Sequence, residues 1–472
     1  MIRNVKLSAS RPRAGFALAL ALSASLGLLS APPAPAAPVQ LPPVTRVKLK
    51  NGLTVLVMPT RRLPLVDLRL VARAGSVNDP AGQEGVASLT ADLLTQGAGR
   101  RNAQQIAEDI AFVGGSLDAT VGAEQFVVTC EVLNKDLDTG LELFHDAIAA
   151  PTFPAEEFAR KKDEAVGSIA AERDDPSAVA DKALLPFLFG PSRFAHPVIG
   201  WEKSVQSLTR DEVTAFHRRW ITPDNALLAV VGDVDPKTLV PELEKRFADW
   251  KPSGAGPAPP IPPLAKFTGR SVEIVNKPEV TQTQIRMASL GVARNHPDFF
   301  PITVANLILG GGFTSRLVNA IRVEQGLTYS ISSGFRMRRD VGTFHISTFT
   351  RNETLRRTID ETLKVIRALV DQGPSEDELA KAKRYLTGQF PLGLQAPDAL
   401  AQQILDVEFF GLDPQFIQTF DGKVNAVEMS DVKRALKSYF NIDDLKILVV
   451  SNPDSARKAL AGLGPIEVKE VP

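Results

Sequence analysis

Apolar residues recur along this chain with two different periods, and the switch between them marks its elements. Leu53, Val55 and Val57 alternate after Asn51-Gly52, as do Leu68 and Leu70, which predicts strands with one face buried. Phe126 to Val132 reads as a further strand. Ala103 to Val113 carries a helical spacing that stops at Gly114-Gly115, and Leu137 to Ala149 carries another that stops before Pro151. Later, Phe344 to Phe349 alternates and Glu353 to Asp371 spaces its apolar residues as one long helix. Hairpin-like strands mixed with helical layers predict an α+β fold rather than a doubly wound sheet.

The pattern also repeats. Leu208 to Val213, through Trp220 to Leu227–Val231, is matched by Met429 to Val432, through Tyr439 to Lys446–Val450. Val213 and Val231 stand as far apart as Val432 and Val450. Each unit is a capped helix, a turn and a buried strand. Upstream, Phe153–Arg160 parallels Gly373–Lys381 in the same order, so duplication accounts for both matches better than chance. Between the copies, residues 249–266 hold six prolines and two glycines, a composition that continues neither helix nor central strand. The expectation is two homologous α/β-sandwich domains, 43–248 and 267–460, joined by a Pro-rich linker at 249–266.

Length and composition narrow this further. A chain of 472 residues exceeds one hydrophobic core. Lys+Arg 54 against Asp+Glu 54 leaves no net charge, so nothing favours nucleic acid. Cys130 is the only cysteine, which removes any internal disulfide or cysteine-rich metal cluster; its strand setting predicts a small core residue. Arg3, Lys6, Arg11 and Arg13 precede an apolar run from Phe16 to Leu29 and then Ala34-Pro35-Ala36. Those three regions predict a secretory signal peptide over 1–37. The run falls short of the roughly 20 apolar residues of a membrane anchor, and no cysteine follows it for lipid attachment. No span is expected after cleavage, and a bacterial periplasm is the expected destination.

Two segments carry the chemistry. Gly75-Ser76 and Asp79-Pro80 lead into a short helix through Gly85–Leu94, and Gly97 follows. Further on, Gly310-Gly311-Gly312-Phe313-Thr314-Ser315-Arg316-Leu317 precedes Arg322-Val323-Glu324-Gln325-Gly326-Leu327-Thr328-Tyr329. The glycine run lacks a following Gly-Lys-Ser/Thr and is no phosphate loop; it is read as permitting tight turns and close backbone packing. Together with the repeat, these segments resemble the pitrilysin/insulinase family of zinc peptidases over roughly 43 to 455.

The resemblance implies an H-x-x-E-H helix, in which two imidazoles four apart hold zinc and the glutamate polarises bound water. Here those positions are Ser88, Ala91 and Asp92. The third ligand position falls at Gly167 or Ser168, with Glu164 and Glu172 nearby. His145, His196, His217, His296 and His345 lie singly, each expected to be satisfied or exposed, so no metal is expected on this chain. Ser88 as a nucleophile lacks its base.

Arg322 and Tyr329 match the family's arginine–tyrosine pair, which faces the active site; guanidinium and phenol both donate to a peptide carbonyl. The resemblance therefore implies a non-catalytic, substrate-orienting subunit whose partner carries H-x-x-E-H and the zinc. Unfolded peptides would be the substrates, and the linker would act as a hinge. The other reading is a non-enzymatic envelope scaffold or peptide-binding protein of the same fold.

Overall fold

Two six-stranded sheets carry the chain, and five strands of one repeat five of the other. The computed structural model describes residues 41–254, 261, 262, 264 and 266–472. The expected signal peptide and residues 255–260, 263 and 265 of the linker lie outside the described residues. The first sheet comprises β1 (Thr45–Lys48), β2 (Thr54–Pro59), β3 (Leu65–Ala72), β4 (Ser116–Val121), β5 (Phe126–Leu133) and β6 (Ala226–Gly232). The second comprises β7 (Ser271–Asn276), β8 (Gln282–Gly291), β9 (Ile331–Met337), β10 (Gly342–Arg351), β11 (Lys446–Ser451) and β12 (Ile466–Lys469). Their orders are β1-β2-β6-β3-β5-β4 and β12-β7-β11-β8-β10-β9. β2 runs parallel to β6 as β7 does to β11, and every pair beyond is antiparallel. The copies differ at one edge, where β1 is antiparallel and β12 parallel to its neighbour.

The helices that matter below are α1 (Val86–Leu93), α2 (Ala155–Ala171), α3 (Pro176–Phe189), α4 (Arg210–Trp220), α5 (Pro397–Phe410) and α6 (Met429–Tyr439). The repeated sequence units fold as α4 then β6, and α6 then β11. Thr209 caps α4 by accepting from the backbone N–H of Glu212, whose carboxylate returns to the Thr209 N–H. One face of the first sheet packs on helices of its own half, joining Val55, Leu68 and Val128 to Val86, Leu89, Leu93 and Val213. The second sheet does likewise with Met287, Phe344 and Ile447 against Ile359, Val432 and Leu436.

The opposite face of each sheet is covered by a helix from the other half. α5 lies on β3 and β6, and α3 lies on β8 and β11. These two helices are repeat equivalents of 14 residues, each starting at a proline and followed by a glycine. Arg69 in β3 and Arg286 in β8 occupy matching positions, opposite Ala229 and Leu448 of the equivalent strands. Each holds the incoming helix. Arg69 donates to Gln402 at 3.3 Å; Arg286 donates to Asp181 at 2.6 Å and Ser177 at 2.7 Å. Met58, Val71, Leu227 and Ala229 thereby share one continuous core with Ala401, Leu405 and Ile447.

This exchange changes the reading of the linker. Moving the halves apart would strip both helices from their sheets and expose the shared core, so the linker does not join two freely hinged bodies. It also begins later than its composition indicates. Trp250 is 5% exposed, packs against Phe247 at 5.9 Å between centroids and donates its indole N–H to Ile221. A residue with that much apolar surface is held by the first core although prolines follow it.

Beneath α5, Asp67 is 2% exposed and its Oδ1 has no hydrogen-bond partner. Arg69 stands 3.7 Å away, too far to donate. Burial pushes this carboxyl from 3.8 up to about 7; Arg69 on its own strand opposes the rise, while Asp398 on α5 and Glu131 on β5 add to it. A folded-state value above the unfolded one means that the folded chain keeps a proton the unfolded chain has released. Stability from this group is therefore lost as pH rises from about 4 through 7. Asp67→Asn should melt higher than the unmodified protein at pH 8, with the gap closing by pH 4. Thermal scans across that range check this, and a gap independent of pH would refute it.

Candidate functional site

α1 starts where the sequence predicts, for a specific local reason. The Asp79 carboxylate accepts from the N–H groups of Gly85 at 2.7 Å and Ala87 at 3.0 Å, satisfying donors at the helix start. Gly85 has φ +103, and a Cβ there would meet the Ile199 carbonyl at 2.6 Å, so glycine is required. Val86, Leu89 and Leu93 are buried in the first core. Ser88 and Asp92 share the outward face of α1; Ser88 is half-buried, Asp92 exposed and Ala91 buried.

The neighbouring helix brings a cation near the outward face of α1, and a hydroxyl or a glycine at the family's third ligand position. α2 packs on α1, and its Lys161, Glu164 and Ser168 fall on one stripe at helical spacing. A Cβ at Gly167 would meet open space, while Ser168 shares the stripe with Lys161 and Glu164, which makes it the better match for the third position. Lys161 is 3.1 Å from Glu164, and Arg160 also pairs with Glu164 at 2.5 Å. Surrounding protein raises the Asp92 carboxyl, Lys161 lowers it and Glu164 raises it. A hydroxyl, a methyl group and one carboxylate facing an ammonium do not suit Zn²⁺, which takes four N, S or O donors. Among the described residues, no cluster of three or more His, Cys, Asp or Glu side chains is placed to hold a metal ion.

Arg322 and Tyr329 do come together. Residues Val318–Glu324 form a π-helix, and Leu327 N–H closes its end by donating to Ile321 O at 3.0 Å. The wider turn brings the Arg322 guanidinium to 5.4 Å from the Tyr329 ring centroid, a cation–π distance. Tyr329 is 79% exposed. Among the described residues, Arg322 has no carboxylate partner and no hydrogen bond or ion pair joins the pair to Ser88 or Asp92. Behind Tyr329, threonines fix the turn: Thr350 donates to Leu327 O at 2.6 Å, and Thr348 donates to Ser330 O at 2.8 Å. Arg322 and Tyr329 line a depression of about 510 Å³ with Gln282, Phe349 and Arg351.

The glycine run works by close approach rather than by turning. None of Gly310, Gly311 and Gly312 has positive φ. A Cβ on Gly310 would lie 2.7 Å from the Ser333 backbone N, so glycine lets a second π-helix, Leu307–Gly311, press on β9.

Cys130 is buried, and burial pushes its thiol up to about 12, the state of an inert core cysteine. His345 departs from expectation. Its Nδ1 is buried without a partner, and burial first, then Arg336, lowers the ring to about 4.

Comparison with known proteins accords with this geometry. Residues 55–200 match the insulinase (peptidase family M16) model, and residues 207–386 match the peptidase M16 inactive domain. The chain is 29% identical over 355 residues to an uncharacterized zinc protease of Mycobacterium leprae, covering 75% of this chain and 79% of the relative. A relative of the same description from Streptomyces coelicolor is 26% identical over 444 residues, covering 90% and 91%. Among solved structures, the peptidase M16 inactive domain from Pseudomonas fluorescens aligns with TM-score 0.81 and 28% identity, over 87% of this chain and 98% of that one. A protease from Helicobacter pylori reaches the same TM-score at 21% identity, covering 87% of this chain and all of that one, a likeness of fold. The duplicated sheets, the helix stripped of its ligands and these matches lead to one conclusion: the chain belongs to the M16 (insulinase) peptidase family.

Proposed function

We propose that this chain is the non-catalytic, substrate-orienting subunit of an exported two-chain zinc peptidase. The observation that carries the reading is Arg322, a guanidinium with no carboxylate partner among the described residues, 5.4 Å from the ring of an exposed tyrosine in an open depression, in a chain whose own α1 lacks the metal ligands. The hydrolytic chemistry is assigned to a partner that carries H-x-x-E-H. In this chain, Arg322 and Tyr329 would donate hydrogen bonds to carbonyls of an extended, unfolded peptide. The threonine-braced turn holds the donors in place before the peptide arrives, so little reorganisation is needed on binding. Export to a periplasm rests on the charge and apolar pattern of residues 1–37.

The test is peptide cleavage by the tagged mature chain, alone and after capture with its partner. The lone chain should be inert and the complex active and chelator-sensitive. Within the complex, Tyr329→Phe and Arg322→Ala should each lower kcat/KM by ~10²-fold, the scale of losing one preorganised donor, with zinc content unchanged. Full activity in both variants removes the orienting role. A stable complex that cleaves nothing favours the scaffold reading.

A second test addresses the metal. Ser88→His, Ala91→Glu, Asp92→His and Ser168→Glu combined should let the chain retain about one equivalent of zinc after dialysis, while the unmodified chain retains none. Zinc retained by the unmodified chain would overturn the assignment of α1 as ligand-free.

A further inference from the structure

The depression around Arg322 has a charge character that the arginine–tyrosine pair alone does not explain. Its lining contains a second guanidinium, Arg351, and no aspartate or glutamate. Arg351 closes β10 directly opposite Gln282, the first residue of β8. Guanidinium and carboxamide therefore stand side by side across from Arg322 and Tyr329. Among the described residues, Arg351 pairs with one carboxylate, Glu353 at 3.3 Å, and both side chains are about two-thirds exposed. Such a pair contributes little and exchanges readily. Among the described residues, Arg322 has no carboxylate partner and lies over the Tyr329 ring. Two guanidiniums, a phenol and an amide thus converge on about 510 Å³ of open space with one weak counterion at the rim.

The floor is rigid. Thr350 and Thr348 hold Leu327 O and Ser330 O, and the Thr350 hydroxyl is in turn bonded to Thr354 and Thr358. Phe349, between them in sequence, supplies apolar wall. A site with preset donors, excess positive charge and an apolar side suits one end of a planar anion on an extended chain.

We propose that this depression is a carboxylate subsite, in which Arg351 and Gln282 read an acid group on the same peptide that Arg322 and Tyr329 hold. The acid is either an aspartate or glutamate side chain or the free C-terminal carboxylate. This deepens the orienting role and rests on it for the identity of the ligand as a peptide.

The experiment uses binding to the chain by itself, which needs no partner and no catalysis. Fluorescence anisotropy would follow four labelled peptides of one extended sequence: glutamate or glutamine at a central position, each with a free or an amidated C-terminus. The chain should bind at least one acid form about 10-fold more tightly than its neutral isostere, and the arm that shows the difference names the source. Arg351→Gln should abolish that preference, bringing the acid peptides to the affinity of their neutral isosteres. Arg351→Glu should invert it toward a lysine-containing peptide. Equal affinity for all four peptides, no binding at millimolar peptide, or a preference that survives Arg351→Gln overturns the proposal.

The two readings fail separately. An active complex indifferent to substrate acids keeps the orienting role and removes the subsite. An inert complex containing a chain that still prefers acids does the reverse.

Discussion

The exchange of α3 and α5 between the halves is the constraint on which the rest of the structure depends. A sheet with helices on one side leaves its other face apolar, and each half lacks a helix of its own to cover it. Arg69 and Arg286, at equivalent places in the two central strands, fix where the borrowed helix lies. Arg286 is almost fully buried and has Asp181 and Ser177 to answer it; the cost of an unpaired guanidinium there would be several times that of a lost surface contact. The polar line beneath α5 is less complete, since Asp67 keeps an unpaired oxygen among Arg69, Asp398 and Glu131. Its held proton is the consequence.

That shared core explains why α1 persists without its chemistry. Half of α1 belongs to the first core through Val86, Leu89 and Leu93, and only its outer face carried ligands in the family pattern. Ser88 and Asp92 lie off that packing face, whereas at the glutamate position Ala91 joins the core as a small apolar side chain. On α2, Lys161 and Arg160 both pair with Glu164. The second half follows a different logic. There Arg322 and Tyr329 project outward from a π-helix and a threonine-braced turn, elements whose packing is complete without them.

Much of this was legible in the chain. The two periods separated strands from helices, and the long helix came within two residues of its structural limits, Leu355–Gln372. Equal spacing from Val213 and from Val432 revealed the duplication, because each unit buries its strand locally and so keeps the same pattern twice. The missing metal ligands were likewise visible, since ligand identity is a property of the residue alone. Other features were not. The head of the linker pattern hid Trp250, because proline content describes local stiffness and not which side chain finds a core. For the glycine run the sequence indicated both tight turns and close packing, and only the placement of Ser333 against Gly310 shows that close packing is the reason there. His345 looks like any lone histidine until burial leaves its Nδ1 without a partner.

What the sequence by itself determined is therefore local and chemical: the elements, the repeat, the family pattern and the loss of its zinc ligands. Tertiary structure alone decided which half each helix covers, that Asp67 lies buried beside two other acids, and that Arg351 and Gln282 stand next to Arg322 and Tyr329. Periodicity reports which face of an element is buried but carries no address for the surface that buries it. Burial and charge proximity act through space between residues far apart in the chain, so the pKa of Asp67 and the character of the depression exist only once the two halves have exchanged their helices.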